Sequence, residues 1–464
     1  MGKKLLSKEE LISKIIKESN FIGKIRDKSF LDEDFPEAKE IIKIISDYQN
    51  KKDLAKKFIE TIPLYFDKSG LWWRWVEYQK RWELTDDIDI LNLLYSCSKG
   101  INIINSKERG EIINALKQES RKCIPKKPEN TWIQFNKEIV DIETGERFEA
   151  TPEYFFANPI PHNLGRTSDT PVMDKIFKEW VGEKYIKTLY QIIAYCLLAD
   201  YPIHRLFCFI GSGMNGKSCF LNLLRKFIGD NNVCSTELDI LLNSRFEITR
   251  LHKKLVCQMG ETNFNEMSKT SFLKKLTGGD LIGFEYKNKN HFEEVNYAKI
   301  IIATNSLPTT TDKTLGFYRR WLIIDFPNQF SEKNDILKDV PKEEYENLAM
   351  KCIEILYDLL NNRSFENEGS VEERLKKFEE KSDFLQKFLD DFVSEDVNEY
   401  ISKSNFYKKF IEWCVENRHR KLAENTLGKK MKEKGIEAGK KYVSWLYDGK
   451  GGQMKVWLGI NWKN

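Results

Sequence analysis

Apolar positions along the chain change their spacing several times, and each change marks a different kind of element. Up to residue 60 they recur at helical spacing. Ser7 and Glu10 form a capping-box pattern ahead of Leu11, Ile15 and Ile16, and Pro63 closes the block. The stretch PLYFDKSGLWWRWVEYQKRWEL follows, dense in aromatics around a Ser69-Gly70 turn signal. It predicts a β-hairpin whose tryptophans either pack a core or stack bases. Helical spacing returns over 85–123 and stops at Pro125 and Pro128. Residues 130–162 carry strand and turn signals, with apolar alternation in FNKEIVDIETGE and a turn at Thr144-Gly145. Ile176, Phe177 and Trp180, then Leu189, Ile192, Ile193 and Leu197, predict helices over 171–200. From 204 to 330 β-like apolar runs alternate with helical stretches, an α/β pattern. Residues 340–380 are mostly helical and end in the charged EERLKKFEEKSDF, which reads as a linker or bridging helix. The remainder reads as helix, helix and hairpin, the hairpin turning at Asp448-Gly449.

Composition narrows the class. A chain of 464 residues with 41% hydrophobic content can build about three packed domains and is not globally disordered. No apolar run approaches the ~18 residues a membrane span needs, so no membrane partner is expected. The start, MGKKLLSKEELISKII, carries Glu9 and Glu10 too early for a secretory signal, and Leu6 departs from the myristoylation pattern. Nine cysteines without CxxC or His-paired spacing read as reduced thiols of an intracellular, cytoplasmic protein with no zinc site. The net charge of +4 hides an asymmetry: residues 401–464 carry +9 and the rest −5. A basic tail with apolar content suits a polyanion, or is simply a solvated lysine-rich surface.

One stretch carries distinct chemistry. The apolar run Leu206 to Ile210 leads into GSGMNGKS, Gly211 to Ser218, and then into helical spacing at Phe220, Leu223, Leu224 and Phe227. This is G-x-x-x-x-G-K-[ST] between a strand and a helix, a phosphate-binding loop. Gly211, Gly213 and Gly216 let successive backbone amides face an anion, and Asn215 and Cys219 complete the lining. Lys217 can neutralise phosphate charge and the Ser218 hydroxyl can ligate Mg²⁺. Downstream, KLVCQMGE ends in Glu261 at the end of an apolar run. Its neighbour is Gly260 where an acidic pair is usual, so Glu261 suits activation of the attacking water more than direct metal ligation. AKIIIATN gives a third buried strand ending at Asn305, whose amide can orient that water. GFYRRWLIIDF sets Arg319 and Arg320 ahead of a strand, where one can reach a neighbouring subunit's nucleotide; Arg320, next to the strand, is the first choice.

In this order the elements resemble a superfamily 3 helicase, and more closely the C-terminal helicase part of phage, plasmid and large-DNA-virus primase–helicases. GSGMNGKS, GETNFNEMSKTSFLKKLTGGD, IIIATNSLP and FYRRWLIIDF carry the resemblance within 204–330. FNKEIVDIETGERF and YQIIAYCLLADYPIHRLFCFIG upstream, and FYKKFIEWCVENRHRKLAENTLGKKMKEKG downstream, extend it over about residues 60–464. The resemblance implies an AAA+-like P-loop core, a mostly helical N-terminal region and a C-terminal winged-helix domain. The expected division is 1–60, a collar or docking segment; 61–200, an α+β companion; 201–380, the ATPase core; and 381–464, the winged helix. It implies a homo-oligomeric ring, usually a hexamer, with ATP and Mg²⁺ between subunits. Single-stranded and forked DNA would be gripped by a hairpin bearing Lys287, Lys289 and His291. The basic helix at Lys429, Lys430 and Lys432, with Lys450 in the wing, would meet duplex DNA. Only about 60 residues precede the aromatic block, too few for a priming domain, which leaves a separate primase or polymerase as partner. Two rivals stand beside the motor: an ATP-switched replication initiator, and a small-molecule kinase that needs neither ring nor basic tail.

Overall fold

The computed structural model describes residues 51–463 except 98–105, 212, 261–265, 268, 332–335, 418–420 and 444–450. The capping box at Ser7 lies outside these residues. The described chain opens with helix α1 (Lys51–Thr61) and the antiparallel strands β1 (Leu64–Phe66), β2 (Trp72–Val76) and β3 (Arg81–Thr85). Helices α2 (Asp87–Cys97) and α3 (Ser106–Ser120) follow, then a second meander, β4 (Trp132–Phe135), β5 (Glu138–Asp141) and β6 (Arg147–Glu149). Trp72, Trp73, Trp75 and Trp82 are all buried, so the aromatic block is core and offers no stacking surface for bases.

Helices α4 (Pro171–Val181) and α5 (Glu183–Tyr195) lead into the central sheet. Its first strand, β7 (Leu206–Ile210), is followed by helix α6 (Lys217–Ile228), β8 (Val233–Ser235), helix α7 (Leu238–Asn243) and β9 (Val256–Met259). A short β10 (Glu266–Met267), helix α8 (Thr270–Leu276) and a hairpin of β11 (Leu281–Phe284) and β12 (Phe292–Val295) precede β13 (Lys299–Thr304). Then come β14 (Thr309–Thr310), the short helix α9 (Leu315–Tyr318) and β15 (Trp321–Asp325). The five long strands pair in parallel in the order β15-β7-β13-β9-β8. Alternate residues feed opposite layers, as the strand pleat dictates. Phe207, Phe209, Ile301, Leu322 and Ile324 face α4, α5 and α6, while Cys208, Ile210, Ile300, Ile302, Trp321 and Ile323 face α7, α8 and α9. Burial on both faces explains why these strands read as continuous apolar runs. It also ties α4 and α5 to the sheet: they share its core, although the sequence division placed them with the companion region.

Helices α10 (Lys342–Asn362) and α11 (Val371–Ser382) complete the two layers. Buried Glu344 of α10 accepts from the amides of Val172 and Met173 at 2.9 and 3.0 Å, capping α4 where its first-turn N–H groups lack helical partners. Of the two readings of the charged stretch, linker or bridging helix, the structure shows a helix, α11, and it is packed against the sheet. Phe378 is buried against Trp321 and Phe317, Arg374 is buried, and Lys377 and Lys381 bind Asp325 at 3.1 and 2.7 Å. Glu372, Glu373, Lys376 and Glu379 are exposed while Arg374 and Phe378 face inward, so counting charges hid the buried side.

The last region holds helix α12 (Phe384–Phe392), β16 (Val393–Ser402), helices α13 (Lys403–Glu416) and α14 (Glu424–Glu433), and strands β17 (Ala438–Val443) and β18 (Gly452–Trp462). The strands form an antiparallel sheet in the order β16-β18-β17 over their own core of Phe388, Phe406, Phe410 and Trp413. Strand β16 is an addition to the helix, helix, hairpin pattern expected from sequence. Among the described residues no helix is long and apolar enough to cross a membrane.

Lys299, the first residue of β13, is fully buried. Its ammonium donates to the carbonyls of Leu198, of Asp200 at 2.6 Å and of Tyr297 at 3.1 Å, and lies over the ring of Tyr195. It thereby fixes the end of the α5 segment to the sheet. Lys299→Met keeps the length but strands three carbonyls, so urea denaturation should show a loss of about 2–3 kcal/mol. A loss within about 0.5 kcal/mol, the usual surface value, would remove this lysine from the joint.

Candidate functional site

The loop between β7 and α6 is set by main-chain constraints. Gly216 has φ +89° and Gly213 φ +103°, both in the region that favours glycine. A Cβ on Gly216 would lie 2.5 Å from the Trp180 indole, and one on Gly211 would meet the Asn215 amide and the Phe326 carbonyl. The loop therefore rests directly on α4 and on the segment after β15. Asn215 is buried and donates to the Phe326 carbonyl at 3.2 Å, while the Met214 carbonyl accepts from the Phe330 amide at 2.7 Å. Lys217 opens α6 and is 7% exposed. Its ammonium donates to the Gly211 carbonyl at 2.7 Å, to Asn215 Oδ1 at 2.9 Å and to Asn305 Oδ1 at 3.2 Å. Ser218 is exposed and Cys219 half-buried in the first turn of the helix, where unpaired amides favour an anion.

The sheet order decides what else meets there. β13 lies between β7 and β9, with Thr304 in register with Ile210. Asn305 therefore emerges beside the loop, as the Lys217 contact records. The strand before Glu261, β9, is separated from β7 by β13. Glu261 and Ser212 lie outside the described residues.

The two arginines diverge. Arg320 is 7% exposed, and its guanidinium donates to Thr277 Oγ1 at 3.0 Å, to the Lys274 carbonyl at 3.3 Å and to the Gly316 carbonyl. It closes the C-terminal end of α8 within its own chain. Arg319 is exposed, and its guanidinium makes no hydrogen bond or ion pair among the described residues. The preference for Arg320 rested on its position next to the strand; that same position turns it inward. No local signal separates them, since Leu315, four residues before Arg319, is apolar yet exposed.

The hairpin is present, with Lys287, Lys289 and His291 all exposed in the 285–291 loop. Lys289 reaches the carbonyl of Gly70, in the turn between β1 and β2, at 3.0 Å. At the hairpin's base, buried His252 links Tyr286 and Glu294 through its two ring nitrogens at 2.9 and 3.0 Å, and Lys253 also pairs with Glu294. Burial lowers the His252 pKa; neutral imidazole then donates to Glu294 and accepts from the Tyr286 hydroxyl. Burial pushes Glu294 upward, but His252 and Lys253 outweigh it and hold the carboxyl at about 2. Sequence reasoning missed this latch, whose members come from three separated segments.

In the last region Lys429 and Lys432 are exposed on α14, with Lys430 half-buried; Lys450 lies outside the described residues. Lys432 and Lys455 both crowd Lys403, which lies over the Trp457 ring at 3.9 Å. Lys440 and Lys455 stand directly opposite on β17 and β18. Like charges facing each other across a ladder are destabilising, so this surface favours an anionic partner.

Comparison with known proteins adds three findings. Residues 209–320 match a model described as "Family of unknown function (DUF5906)", and residues 380–453 match one described as "Poxvirus D5 protein-like". A protein of Acanthamoeba polyphaga mimivirus named "Putative helicase L207/L206" is 24% identical over 278 aligned residues, which take in 53% of this chain and 28% of that protein. The chain thus spans little more than a quarter of that relative's length. Two solved structures of an NrS-1 C-terminal region each cover 89% of this chain and 100% of their own, at 12% and 15% identity and a TM-score of 0.46. The chain is similar to viral helicase-like proteins, as its motifs imply.

Arg320→Ala strands buried oxygens and should cost about 2–3 kcal/mol in a denaturant melt, against under about 0.5 for Arg319→Ala. Equal losses would contradict the inward and outward assignment. The latch carries a pH signature. A histidine with a lowered folded pKa loses stabilisation as pH falls below its ordinary value of 6.5, and a depressed carboxylate loses it from 4.5 downward. Hydrogen exchange of residues 284–292, corrected for intrinsic rates, should therefore quicken relative to β13 between pH 7.5 and about pH 5. His252→Phe should flatten that dependence; an unchanged pH profile would rule the latch out.

Proposed function

We propose that the chain is the motor part of a replication helicase of a viral, proviral or plasmid replicon, hydrolysing ATP at subunit interfaces of a ring. The observation that carries this reading is the contact between Lys217 and Asn305. It brings a phosphate-binding cation and a polar strand-end amide together across β7 and β13. The β15-β7-β13-β9-β8 order supports an AAA+-like core of the superfamily 3 kind.

In this account the amides of residues 213–217 cradle the phosphates and Lys217 neutralises their charge. Ser218, with Glu261 outside the described residues, would hold Mg²⁺, whose chemistry is to draw charge from the β- and γ-phosphates. The glycine turn fits such a group, because the space beside Gly213 is open and its backbone is left uncovered. Glu261 activates water, Asn305 orients it, and Arg319 is the residue offered to the next subunit's nucleotide. Lys287, Lys289 and His291 grip a DNA strand by phosphate contact, which is independent of sequence and suits translocation. The winged-helix reading of residues 381–464 places Lys429, Lys430, Lys432 and Lys450 against duplex DNA.

Single-stranded DNA should stimulate ATP turnover, and a forked duplex should be unwound. Lys217→Ala should lower turnover on the order of a hundredfold or more. Robust turnover without DNA stimulation or unwinding would contradict the motor. Tight sequence-specific binding with negligible turnover would instead identify an ATP-switched initiator.

A further inference from the structure

Strands β8 and β9 are parallel neighbours, and their register sets Cys234 directly opposite Cys257. Registered residues on adjacent strands project to the same face, so the two side chains are direct neighbours. Adjacent strands lie about 4.8 Å apart. That is inside the Cα separation of roughly 4.4–6.8 Å that a disulfide spans. No other two cysteines face each other in the registers of the described strands.

The two sites are unequal in access. β8 is the edge of the central sheet, and Cys234 is only half-buried there. Cys257 is enclosed with Leu238, Leu241 and Leu251. Positive charge lies beside the pair. Lys254 is next to Cys234 and bonds the Asn231 carbonyl at 2.5 Å, and Arg250 reaches the Ser235 carbonyl at 3.5 Å. The thiolate is the form that attacks a peroxide, and the half-buried Cys234 is the one of the two that such a reagent can reach.

We propose that Cys234 and Cys257 form an oxidation site, at which a hydroperoxide converts the pair to an intramolecular disulfide that staples the edge strand β8 to β9. The Cys234 thiolate attacks a peroxide oxygen: an S–O bond forms, the O–O bond breaks, and the leaving oxygen takes a proton as water or alcohol. Cys257 sulfur then attacks the sulfenic sulfur: the S–S bond forms, the S–O bond breaks, and the departing hydroxide takes the Cys257 proton as water. Two thiols lose two electrons and the peroxide gains them. A dithiol reductant reverses the change. The site does not depend on the nucleotide reading.

The test uses the full chain carrying Cys123→Ser, which removes an exposed thiol. The folded protein is treated with hydrogen peroxide, blocked with an alkylating agent, digested without reductant and analysed by mass spectrometry. The expected product is a linked peptide pair holding Cys234 and Cys257, two hydrogens lighter than the reduced peptides and separated by dithiothreitol. In Cys257→Ala the resolving thiol is gone, and dimedone should trap Cys234 as its sulfenic acid. Full alkylation of both cysteines after peroxide, or overoxidation of Cys234 while Cys257 stays alkylatable, would overturn the proposal. So would absence of dimedone labelling in the variant.

Discussion

The structure depends on holding one ammonium at the point where a buried strand becomes a helix. Lys217 can sit there only because the chain turns through Gly213 and Gly216 at positive φ, and because Trp180 leaves room for backbone and nothing more. That contact explains why α4 belongs to the sheet core. It also explains the tether from Asn215 to the Phe326 carbonyl, which fixes the loop from the β15 side. The strand order does the rest, bringing Asn305 to the lysine from β13. Loop, helix and two strand ends are held here by packing together with the Asn215 and Lys217 hydrogen bonds.

Around this centre the basic groups divide between internal use and external display. Lys299 and Arg320 are consumed inside the chain, each satisfying carbonyl oxygens that would otherwise be buried unpaired. Arg319 and the lysines of α14 remain at the surface. Lys289 is intermediate: it is exposed, yet bonded to the Gly70 carbonyl of the N-terminal meander. The hairpin is tied at its tip by Lys289 and latched at its base by His252 and Glu294.

Most of the sheet was legible in the sequence, because strands buried on both faces leave unmistakable apolar runs at Leu206–Ile210 and Lys299–Thr304. The glycine turn before α6 was legible for a different reason: its conformation admits few residue types, so composition and spacing report it directly. Strand order was less accessible, since nothing local in KLVCQMGE says that another strand will come between it and β7. The two arginines were inseparable for a similar reason. Adjacent residues differ by a rotation, and only tertiary packing reveals that Arg320 turns toward α8 while Arg319 stays out. The charged helix α11 shows the converse error, in which surface composition concealed Phe378 and Arg374 on the buried side.

In the proposed ring, a neighbouring copy of the chain completes the nucleotide site through Arg319. The most direct measurement is DNA-stimulated ATP turnover of wild type mixed with increasing Arg319→Ala at fixed total protein. If the site is shared, turnover should fall well below the average of the two proteins, because each mutant subunit disables a neighbour's site. A rate that simply follows the fraction of wild-type protein would contradict it.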